Sequence, residues 1–132
     1  MSFTGYSVSV SPTLPEVTGA VINAPSAKLV KYDTNGNVVL SNTAGEAIAG
    51  IIVTGDVGDT LPMGASVTIA ITAITPALAS GVIAKGAFVS SNGDGSIKTA
   101  VTDEAIVGQA LEAATAAGDL IRVQILKGGT AV

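Results

Sequence analysis

Apolar and polar positions alternate along this chain in short runs, and the runs occur twice. In the first series, Lys28-Leu29-Val30-Lys31-Tyr32 and Asn37-Val38-Val39-Leu40 flank Asp33-Thr34-Asn35-Gly36. An Asn-Gly pair supplies the positive φ of a tight turn, so this segment predicts a β-hairpin. The run at 47–54 contains Ile51-Ile52-Val53 and suits a strand buried on both faces. The turn cluster Gly55-Asp56-Val57-Gly58-Asp59 follows, then an alternating strand over 67–74 and a loop from Pro76 to Gly81. The second series keeps this order. A hairpin is predicted at 86–90 and 96–100 around Asn92-Gly93-Asp94-Gly95, then an apolar run from Ala105, a turn at Gly118-Asp119 and a strand over 120–126. Gly50 and Gly108 hold the same place in the two series, 58 positions apart (108 minus 50).

The segment 105–117 carries two signals. Thr102 could cap a helix, Glu104 would lie in its first turn, Gly118 could end it, and Ala113–Ala117 favours helix. Its alignment with 47–53 favours strand instead. A strand is expected at 105–112, with a helical turn or loop at 113–118.

These elements predict an all-β fold, a small sandwich or barrel built from two related halves. A single β domain is expected over 26–127, with the repeat at 27–74 and 84–126, and a flexible tail at 128–132. Residues 1–25 stand apart. Ser7-Val8-Ser9-Val10-Ser11 alternates strictly, Pro12 and Pro15 interrupt it, and Phe3 and Tyr6 are its large side chains. An extended N-terminal arm is expected there, one that could pair with a sheet edge or lie along a neighbour, with Phe3 and Tyr6 as its anchors.

Composition narrows the chemistry. The 132 residues are 48% hydrophobic and 3% aromatic, so the core must be built from Val, Ile, Leu and Ala. Charged residues are only 12%, and mean hydropathy is +0.60. So little charge implies apolar surface hidden by other copies or by an assembly. The net charge is −4 with no basic cluster, which argues against nucleic acid as a partner. The chain has no Cys and no His, which removes disulfides, thiolate metal sites and the commonest general base. The uncharged stretch Thr60–Ala84 is broken by Pro62, Gly64, Pro76 and Gly81 and alternates with period two, so no membrane span is expected. The first cation is Lys28, so no secretory leader is expected either.

Candidate chemistry is sparse. Asp33–Asn37 opens like a calcium loop, but Val38 and Ala44 stand where that motif needs Gly and Glu. Asp56 with Asp59, and Asp103 with Glu104, read as solvated turn carboxylates. Lys98 lies beyond its Gly-rich turn rather than at the tip, unlike a carrier lysine, and reads as a solvent-facing strand residue. Arg122 alternates with Ile121 and Val123, so it points away from their face and could make an inter-subunit ion pair. No catalytic residue, cofactor site or metal site is expected.

The run Ala105-Ile106-Val107-Gly108-Gln109-Ala110-Leu111-Glu112-Ala113-Ala114, followed by Ala117-Gly118-Asp119 and Leu120–Leu126, resembles the C-terminal signature of small capsid decoration (cement) proteins of tailed bacteriophages. Ala84-Lys85-Gly86-Ala87-Phe88-Val89 is similar to the strand before that family's turn. The resemblance covers roughly residues 60–126, extends loosely over 27–59 and does not reach 1–25. It implies a non-enzymatic virion protein on the outer capsid surface. Its partner would be the major capsid protein, and it would act as a homo-oligomer, a trimer in first place and a dimer in second. The rival readings are a carbohydrate- or host-surface-binding β module of head-fibre or adhesin type, which the absence of Trp weakens, and an enzyme or lipoyl-type carrier, which the missing His and Cys and the place of Lys98 weaken.

Overall fold

The computed structural model describes residues 12–53, 59–126 and 129–131, and all its described regular elements are β-strands. The first sheet contains β1 (Thr13–Val17), β3 (Leu29–Tyr32), β4 (Val38–Leu40), β5 (Gly50–Ile52) and β7 (Ser66–Ala70), in the order β1-β7-β5-β3-β4. The second contains β8 (Ile74–Leu78), β9 (Phe88–Ser91), β10 (Ile97–Thr99), β11 (Gly108–Ala110) and β12 (Leu120–Ile125), in the order β8-β12-β11-β9-β10. A two-stranded ladder, β2 (Ile22–Asn23) with β6 (Thr60–Leu61), lies beside the first.

The strand orders are the same, and so are the registers. Val30 pairs with Gly50 as Val89 pairs with Gly108. Tyr32 opposes Val38 as Ser91 opposes Ile97. Pro15 opposes Thr68 as Pro76 opposes Arg122. Even the β2–β6 contact, Ile22 opposite Leu61, has its counterpart in an isolated bridge between Ile83 and Ala114. In each half the sheet curls until its edge strands meet at one parallel bridge, Thr18 to Val38 in the first and Ala79 to Ile97 in the second. That single contact ties the two edges together at one point without a continuous closed ladder, and β1, β4, β8 and β10 remain edge strands of their sheets.

Alternation along the strands divides the core in two. Val30, Val38, Ile52, Val67 and Ile69 fill the inside of the first half with Ile22. Val89, Ile97, Ala110, Ile121 and Val123 fill the second with Ile83 and Ala114. Leu29, Ile51 and Ala70 point the other way from their neighbours Val30, Ile52 and Ile69, and they join the second half's core. These three side chains connect the halves.

Several expectations need correction. The arm boundary at residue 25 is wrong. Thr13–Val17 pairs along the whole of β7, and Ile22 is buried, so residues 13–23 belong to the first half. Pro15 does not stop its strand. Pro12 C=O and Thr18 N–H bond toward β7, so alternation turns residue 15 away from it, and no ladder bond needs the missing N–H. The loop expected at 76–81 begins only after Leu78, because β8 runs through Pro76, which sits on an edge in the same way. The repeat therefore starts at β1 and β8, earlier than 27 and 84. Residues 129–131, expected in a loose tail, hydrogen-bond to 103–106. At 105–117 there is no helix, and the strand is shorter than expected, Gly108–Ala110.

Candidate interaction surfaces

Two glutamates at equivalent places organise the loops that lead into β5 and β11. Glu46 Oε1 accepts bonds from Ser41 Oγ at 2.8 Å, Asn42 N–H at 2.9 Å and Thr43 N–H at 3.0 Å, while Lys31 Nζ lies 3.1 Å from Oε2. Glu104 Oε1 accepts from Ser90 Oγ at 2.8 Å and Val101 N–H at 2.9 Å, and Lys98 Nζ lies 2.6 Å from Oε2. The lysine has changed strand between the halves. Lys31 opposes Val39, and at the equivalent pair Lys98 opposes Ser90, so one cross-strand position pair supplies the cation from either side. Burial pushes the Glu46 carboxyl upward, and bonds from Ser41, Thr43, Lys31 and Asn42 outweigh it, leaving the pKa below the ordinary value. Lys98 is the main cause that lowers Glu104, with Val101 N–H behind it. Glu104 and Lys98, expected as solvated surface groups, are mostly covered, with side chains 14% and 26% exposed.

The first loop also forms the seam between the halves. Gly45 N–H donates to Ser91 C=O at 2.9 Å, Ala105 N–H donates to Gly45 C=O at 3.0 Å, and the Ser41 and Ser91 hydroxyls lie 2.7 Å apart, buried. Tyr32 donates its hydroxyl to Glu16 at 2.6 Å, and this bond to a carboxylate pushes the phenol up to about 12.

Of the candidate contact residues, Phe3 and Tyr6 lie outside the described residues. Arg122 is exposed on β12 between the buried Ile121 and Val123. Its Nε donates to Glu112 Oε1 at 2.7 Å and its N–H to the same oxygen at 3.1 Å, so it has a partner within the chain. That partner lowers the Glu112 pKa. Asp56 lies outside the described residues.

The outer row of the second half repeats the row that joins the halves, with changed chemistry. Phe88, Gln109 and Gln124 stand where the first half has Leu29, Ile51 and Ala70. The first-half row is buried; Phe88 is 49% exposed, and Ile74, next in the row, 59%. Beside this face, two shallow depressions of about 230 and 140 Å³ share Ser26 and Leu120. Both fall below the size of an ordinary small-molecule site, and no carboxylate lines either. Among the described residues no group of acidic side chains is arranged to hold a metal ion. No described helix is long and apolar enough to cross a membrane.

No family model and no curated protein matches the chain. Solved structures do match, among them the N base of the head fibre protein gp8.5 of bacteriophage phi29, with a TM-score of 0.62, 19% identity, and coverage of 89% of this chain and 97% of that one. At this identity the likeness concerns the fold, and it agrees with the two-part all-β architecture described above.

Proposed function

We propose that this chain is a non-enzymatic structural component of a phage virion that binds the outside of the assembled head. The carrying observation is the backbone likeness to a head fibre base over nearly all of that domain, from a chain whose C-terminal signature resembles capsid decoration proteins. The apolar positions Ile74, Phe88 and Leu120, exposed on one sheet face, support a role in contact with other protein. Binding the assembled shell in preference to free subunits stabilises the shell by mass action, and weak contacts repeated over a lattice add through avidity.

In this reading the partner is the major capsid protein, the protein is a homo-oligomer with a trimer expected, and Phe3 and Tyr6 anchor an N-terminal segment on the neighbour. Arg122 contributes a rim charge. A second reading, the base of a head fibre, is favoured by the same fold likeness and differs in what the base would carry outward. Cosedimentation with empty, expanded shells of the source virus tests the proposal. Saturable binding at a fixed ratio to the major capsid protein is expected, reduced by the double variant Phe3→Ala/Tyr6→Ala. Absence of binding by the wild-type chain would overturn it.

A further inference from the structure

The register that equates the halves also equates Gly45 with Asp103. Both have left-handed backbone, with φ of 75° and 72°. Gly45 N–H is taken by Ser91 C=O, from a strand of the other half, at 2.9 Å. Asp103 N–H is taken by Ala131 C=O at 2.8 Å. The C-terminal segment therefore stands, against the second half, where the second half's own strand stands against the first. Its attachment is made of main-chain groups. Ala131 N–H donates to Glu104 C=O at 2.9 Å, Ile106 N–H donates to Gly129 C=O at 3.2 Å, and Thr130 bridges Ala105 in antiparallel sense. Gly129 and Thr130 are exposed and Ala131 half-buried, so hardly any apolar area holds the segment down.

We propose that the edge Val101–Ile106 is a strand-docking site, occupied in cis by residues 129–131 and able to take the same segment from a second copy. Strand addition draws affinity from main-chain bonds that any extended segment can offer, and small side chains such as those of Gly129, Thr130 and Ala131 clear the edge. A second copy presents an identical segment, so exchange conserves every bond and needs only that the cis strand leave first. The glutamate beneath this edge fixes its shape: Glu104 holds Val101 N–H while its own carbonyl receives Ala131. This inference does not depend on the virion reading.

The full chain carrying Ala131→Pro tests it, because proline removes the donating N–H and leaves the rest of the sequence intact. By hydrogen exchange, the Asp103 and Ile106 amides of the variant should exchange at least about tenfold faster than in the wild type, with the Gly45 amide unchanged. A synthetic peptide of residues 126–132 should bind the variant saturably and restore protection at both amides, while the wild-type chain, its site filled, binds little. Unchanged exchange in the variant would overturn the occupancy. Failure of the peptide to restore protection, or equal peptide binding by both chains, would overturn the docking site.

Discussion

Gly50 and Gly108 show how a repeated letter records a repeated constraint. A Cβ built on Gly50 would lie 2.5 Å from the Ala70 carbonyl oxygen, and one on Gly108 would collide with the carbonyl of the equivalent residue, Gln124. Neither obstacle can swing aside, because each belongs to a strand backbone. Gly50→Ala and Gly108→Ala should each cost about 1–3 kcal/mol in urea unfolding. Gly81→Ala, where the added carbon meets open space, should stay within about 0.5 kcal/mol. Glu46 and Glu104 share the glycine spacing, yet an isolated Glu in a turn reads as surface. Their role became visible only when the fold brought Ser90 and Lys98 to one carboxylate and Ser41 and Lys31 to the other. Both carboxyls titrate below their unfolded value of 4.5. The unfolded chain thus binds more protons in that window. The stabilisation is complete above the unfolded pKa and is lost as pH falls through the folded one. Glu104→Gln should lower stability by about 1–2 kcal/mol at neutral pH and flatten the acid limb of the stability profile, measured by denaturant midpoints from pH 7 down to about pH 3.

At the scale of the elements, the hairpins were legible and the edges were not. Asn35-Gly36 places Gly36 at φ 79°, and Asp33 Oδ1 accepts the Asn35 and Asn37 amides, so the first turn follows from local chemistry alone. Pro15 and Pro76 were read as strand breakers because a sequence does not tell an edge from a centre. In both edge strands the proline nitrogen faces away from the paired neighbour, and its missing donor blunts an edge that could otherwise recruit a foreign strand. The variant Pro15→Thr/Pro76→Thr should keep its unfolding midpoint within about 1 kcal/mol of the parent. It should also self-associate more strongly with concentration in sedimentation velocity; unaltered sedimentation would remove the protective role from these prolines. The same blindness to partners hid the segment 129–131, whose small residues announce no strand until the 103–106 edge is beside them.

Across the whole molecule the halves share a fold but not a fate. The first half buries Leu29, Ile51 and Ala70 in the joint core, while the second presents Phe88, Gln109 and Gln124 outward. Two glutamines, Gln109 and Gln124, stand where the first half has Ile51 and Ala70, so this outward row is more polar than the row that joins the halves, with Phe88 and Ile74 as its exposed apolar members. What is left is a scaffold with two small described depressions, whose glutamates Glu16, Glu46, Glu104 and Glu112 are bonded to side chains or main chain of their own chain. The attachment to an assembled head proposed above makes no demand on a cleft and is compatible with this scaffold. The most direct measurement is quantitative mass spectrometry of purified particles of the source virus, before and after brief protease treatment of the intact heads. The account predicts a fixed, high copy number relative to the major capsid protein and loss of the chain's exposed segments while the shell survives; a chain absent from particles, or present only inside protease-resistant heads, would contradict it.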